Sequence, residues 1–238
     1  MKKDIEIFHL THSPLKEVTL YLDCQCEYAD NAVNVDNICK DLPAHFDKCR
    51  IVEPKGEKGP VLMIEASSSS NVILMKPSQF SYSVMGHYDD WESFVKEALQ
   101  GFGVYVNGYK LNKVFKVGVR SVDEILSDKS INDFEVPFSS GVKECDFSEG
   151  RPIEYLVKNT QYYPEYNLFG REVRASRIFR SDRDMYKIKS TYDVDVFFMN
   201  MRTGIEPDEF EERLKQIHLL KNQLFFSAIR KDVLEAFK

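Results

Sequence analysis

No apolar run in this chain of 238 residues approaches the roughly 20 residues that a membrane-spanning helix needs. The opening "MKKDIEIFHLTHSPL" has two lysines but no sustained apolar region behind them, so it does not read as a secretory signal. Phosphate-cradling glycine loops, the G-x-S-x-G nucleophile elbow and the H-E-x-x-H zinc motif are all missing. The familiar marks of nucleotide, hydrolase and metalloprotease chemistry go with them. Cysteines number five, an odd count that makes no disulfide framework. Together with the missing signal, this predicts a cytoplasmic protein with reduced thiols. Positive charge is also short. The formal net charge is −6, without the basic field that usually announces a nucleic-acid binder, so any such role would rest on a local patch.

What is present is patterned for a globular core. Hydrophobic residues reach 43% and aromatics 13%, values that argue against disorder. Residues 17–28, "EVTLYLDCQCEY", alternate cleanly, with Val18, Leu20, Leu22, Cys24, Cys26 and Tyr28 on one face. Period two over this length predicts a half-buried strand. Val33, Val35, Ile38 and Leu42 follow at loose helical spacing, which Pro43 ends. "PVLMIEASSSSNVILMKPSQFSYSVM" reads as strand, turn, strand, strand, joined first by the polar run 67–71. Asp90 occupies an N-cap position, and Trp91, Phe94, Val95, Ala98, Leu99 and Phe102 follow at helical spacing. Period two returns at Phe115, Val117 and Val119, and again from Tyr186 to Phe198. A terminal amphipathic helix carries Phe210, Leu214, Ile217, Leu224, Phe225 and Ala228 as its stripe.

Residues 127–150 are rich in Ser, Gly and acids and weakly periodic. The expected organisation is an α+β lobe at 1–130, a linker at 131–150 and a hairpin-plus-helix lobe at 151–238. Strands and helices do not alternate strictly. The fold class is therefore α+β, mainly antiparallel, with helices on one face.

The most conspicuous local feature is "REVRASRIFRSDRD". It places Arg171, Arg174, Arg177, Arg180 and Arg183 at every third position, five of eleven arginines in the chain. On a strand, a step of three alternates faces. Arg171, Arg177 and Arg183 then share one side, with Arg174 and Arg180 on the other. "RSDRD" reads as the hairpin turn. Cross-strand pairing with Asp193 and Asp195 is one reading, and a grip for phosphate or nucleic acid is the other. The two aspartates could instead share a cation as part of a hydrolase or nuclease, although Lys187 and Lys189 on the same face oppose it. Cys24 and Cys26 read as core residues, and Cys39, His45 and Cys49 lack the spacing of a zinc knuckle. No metal or cofactor is expected. His9, His12, His87 and His218 stand alone and carry no site.

Several stretches together resemble a sporadically distributed, uncharacterised bacterial family of about this length. They are "SPLKEVTLYL", "VILMKPSQFSYSV", "YDDWESFVKEAL", "KVGVRSVDEI", "YDVDVFF" and "LKQIHLLKNQLFFSAIRKDVLEAF". Where that family has Tyr-x-Asn after the arginine of the fourth stretch, Ser121 and Asp123 stand here. The resemblance brings no catalytic residues or substrate. It implies an accessory, defence or toxin–antitoxin-type role, and with the absent site chemistry it favours a non-catalytic module that binds a protein partner. Nucleic-acid or phosphate binding through 171–184 is the alternative.

Overall fold

A computed structural model of the protein describes residues 10–27, 35–53, 61–86, 90–127, 137–139, 154–180, 186–206 and 209–238. Nine strands form one sheet: β1 (Leu15–Cys26), β2 (Lys48–Val52), β3 (Val61–Glu65), β4 (Asn71–Lys76), β5 (Gln79–Met85), β6 (Leu111–Ser127), β7 (Glu154–Tyr163), β8 (Leu168–Arg180) and β9 (Tyr186–Met199). Their spatial order is β2-β3-β4-β5-β1-β6-β9-β8-β7. The helices are α1 (Val35–Asp41), α2 (Trp91–Tyr109), α3 (Phe210–Ala228) and α4 (Lys231–Leu234). The class is α+β, as the patterning predicts. The expected linker at 131–150 lies outside the described residues, apart from 137–139.

Contacts divide the chain into two compact units. One comprises Met1–Lys16, Ser121–Val196 and His218–Lys238, and the other Glu17–Arg120 and Phe197–Ile217. The second unit owes its strands to alternation. Val18, Leu20 and Leu22 of β1 are buried opposite Val84, Tyr82 and Phe80 of β5. Helix α2 packs on this face. Asp90 caps it by accepting from the Ser93 amide at 2.7 Å. Phe94, Ala98, Gly101, Tyr105 and Tyr109 are its buried residues. Gly101 is required for the close approach, because a Cβ there would lie 2.9 Å from Ile73. On the other face Gly118 makes room for the Tyr21 ring, which a Cβ would meet at 2.5 Å. The Lys116 ammonium lies over both Tyr21 and Phe197, at 4.7 and 4.1 Å from the ring centroids.

In the first unit, β7 and β8 pair antiparallel from Glu154↔Arg177 to Tyr163↔Leu168. The C-terminal half of α3 covers one face of the strands. Phe225 packs on Tyr192 with ring centroids 6.0 Å apart, and Leu224 meets the space above Gly170. Ile188, Tyr192, Val194 and Val196 of β9 are buried there, with Leu168 of β8 and Ile125 of β6.

Candidate functional site

The arginine stretch lies on β8, which neighbours β9 in the sheet; the expected hairpin turn, with Arg183, falls on residues 181–185, outside the described residues. Faces alternate along it. Arg171 donates to the buried carboxylate of Asp195 at 2.9 Å across the β8–β9 pair. Arg174, on the opposite face, donates to Glu172 at 2.7 Å, with both side chains largely enclosed. Arg177 is exposed and lies opposite Glu154 in register. Arg180 closes β8, and its side chain is not among those described. Two of the five guanidiniums therefore already hold carboxylates, on two different faces.

Glu172 was not anticipated as a partner. Its carboxylate also accepts from the Tyr192 hydroxyl at 3.0 Å. Burial, then the neighbouring Glu172 charge, raise the Tyr192 pKa well above the usual phenol value. Beside this pair, Ser176 and Ser190 share a buried hydrogen bond of 2.7 Å. A second buried polar group comes from β6 and α3. Asp123 and Lys221 are 4% and 7% exposed. Burial pushes the Asp123 carboxyl up to about 7, against the pull of Lys221 and with a further push from Asp193. Burial lowers Lys221 in turn, and takes His218 down to about 4. Lys221 donates to Asn222 at 2.9 Å.

The cysteines correct one expectation. Cys39 and Cys49 are joined in a disulfide that ties α1 to β2, with Cα atoms 6.5 Å apart. The odd total concealed a single bridge of short sequence separation. Cys24 and Cys26 are free, as expected of core thiols. Burial pushes Cys24 up to about 12 and raises Cys26 as well. Among the described residues no group of three or more His, Cys, Asp or Glu could hold a metal ion. No described helix is long and apolar enough to cross a membrane. One polar cluster escaped the sequence reading: Glu97 on α2 accepts from Asn71 at 3.0 Å and also engages Tyr82 and His45.

An apolar groove was also not anticipated. It has a volume of about 1140 Å³ and lies in the second unit, walled by α2 and the start of α3. Trp91, Val95, Leu99, Phe102 and Val106 line it from α2, and Phe210 and Leu214 from α3. Leu111, Val114 and Ile205 complete its apolar lining. The α2 residues recur at i, i+4, i+8, i+11 and i+15, a helical stripe. This is a second apolar face on α2 beside the one on the sheet, with Phe102 at the boundary, its ring 5.5 Å from that of Phe80, and with Leu99 37% exposed. Phe102 and Phe210 close the floor, with ring centroids 5.8 Å apart. Glu92, Lys96, Lys113, Glu206, Glu211 and Lys215 carry both signs of charge around it. No protein-family model matches this chain, and no curated protein matches it.

Proposed function

We propose that the protein is a non-catalytic interaction module that holds a protein partner in the α2–α3 groove, in a bacterial accessory or defence system of the kind the sequence resemblance implies. The observation that carries this reading is the second apolar face of α2. A helix packed on a sheet needs one apolar stripe, and here Trp91, Val95, Leu99 and Phe102 make another that opens into a groove. The opening suits an amphipathic helix laid in with anchors at i, i+4 and i+7. Rim charges of both signs favour a partner segment of low net charge. The nucleic-acid alternative has less support, because Arg171 and Arg174 are engaged by Asp195 and Glu172 on different faces.

The test is affinity capture from the native host with wild type and with Leu99→Glu. The expected result is a stoichiometric protein partner held by wild type and lost by the variant. Capture that is indifferent to Leu99→Glu, or nucleic acid in place of protein, overturns the reading.

A further inference from the structure

Strand β7 closes one end of the sheet, with β8 as its neighbour. Among the described residues no strand lies beyond it. Proteins usually keep such edges short, charged or covered, because an open edge offers unpaired N–H and C=O groups to another chain. β7 is ten residues long, and Lys158 is the one charge between Glu154 and the end of the strand. On one face it presents Leu156 and Tyr162, which are 57% and 50% exposed.

We propose that β7 pairs antiparallel with β7 of a second copy of this chain, about a two-fold axis through Asn159. Such an interface is isologous: residue i meets j, and j meets i, with i and j summing to a constant. Centring on Asn159 brings Leu156 opposite Tyr162 twice, so each copy covers the other's exposed apolar side chains. Aliphatic–aromatic pairs of this kind stabilise antiparallel ladders. The same register sets Lys158 opposite Thr160, Val157 opposite Gln161 and Tyr155 opposite Tyr163. Centring on Lys158 instead would oppose two ammonium groups and leave Tyr162 without Leu156. In the favoured register the two lysines lie diagonally, roughly 7–8 Å apart. Their repulsion is screened by salt. A single strand pair covers less than the roughly 1,200–2,000 Å² of a stable interface. The dimer is thus weak, concentration-dependent and tighter at higher salt. It uses the first unit and is independent of the groove in the second.

Sedimentation velocity from low micromolar to submillimolar concentration tests it. Wild type is expected to shift from one chain to two, more completely as salt rises, and Leu156→Lys with Tyr162→Lys to stay monomeric with an unchanged circular dichroism spectrum. Register is tested separately in a Cys145→Ser background. Asn159→Cys is expected to form an intermolecular disulfide at least tenfold faster than Lys158→Cys, because only the former brings two Cβ atoms to bonding distance. A wild-type monomer throughout, a dimer that survives the double substitution, or equal cross-linking at 158 and 159 overturns the proposal. A strand from a different protein would leave this chain monomeric alone, which counts against it too.

Discussion

Replacing Asp123 by Asn should change how stability depends on pH more than it changes stability itself. In the folded protein the carboxyl titrates near 7, against an ordinary value of 3.8, chiefly because it is buried. Between those values the folded state keeps a proton that the unfolded chain has released. Asp123 therefore makes the fold less stable as pH rises through that window. The difference is about 3 units, and each unit is worth about 1.4 kcal/mol, so the total is of the order of 4 kcal/mol. His218 acts with the opposite sign. Its folded value of about 4, against 6.5, removes stability as pH falls through that range. Lys221, lowered from 10.5, regains stability on the alkaline side. Subtracting the two proteins cancels the His218 contribution, whereas Lys221 loses the Asp123 charge that holds it up and is lowered further in the variant. Urea unfolding of wild type and Asp123→Asn should be compared from pH 4.5 to 8. The variant should gain on wild type up to about pH 7 and level off above it, by about 2–4 kcal/mol in all. Parallel curves would refute the claim that a neutral acid sits beneath α3.

The other expectations follow from packing and pairing. Leu214, 2% exposed on α3, should cost about 2–5 kcal/mol when cut to Ala, and a loss below about 0.5 kcal/mol in chemical denaturation would mean that this turn is not docked. Arg174→Ala strands the enclosed Glu172 carboxylate and should cost about 3–5 kcal/mol, whereas exposed Arg177→Ala should stay within about 0.5 kcal/mol; equal effects in thermal unfolding would deny the pairing. Cys24 and Cys26 should react slowly with a thiol reagent in the folded state, because burial keeps both protonated. Prior reduction should raise the thiol count of the unfolded chain by two, through Cys39 and Cys49, and an unchanged count would contradict the bridge.

Much of the fold was legible because burial and period coincide. β1 and β5 alternate cleanly, and their buried residues are those on the expected faces; β9 does the same except that Asp195, on its other face, is buried too. β2 was not visible, since "KCRIV" is short, mostly exposed and carries no alternation. The α2 stripe was seen as one face but is two. Spacings of three and four join Phe94 and Ala98, which meet the sheet, to Trp91, Val95 and Leu99, which line the groove, while Phe102 reaches both the groove and Phe80 of β5. The groove was hidden by that merger. Asp123 and Lys221 had a signal that charge obscured. Asp123 continues the parity of Val117 and Val119, and Lys221 sits between Ile217 and Leu224 on the helical stripe, so both positions point inward. The two-faced arginines were readable from their step of three, but the pairing of Arg174 with Glu172 was not, because it runs along one strand between positions i and i+2 on the same face rather than across to β9.

Trp91 provides the most direct test of the groove. It is the single tryptophan of the chain, half-buried, and part of the lining. Titrating the captured partner into the purified protein should move Trp91 emission to shorter wavelength as water leaves the groove. Leu99→Glu should weaken the same titration by about 2 kcal/mol or more, the scale of a central anchor in an interface. A partner that binds with Trp91 emission unchanged, and equally well to Leu99→Glu, would contradict the assignment of the groove as the binding site.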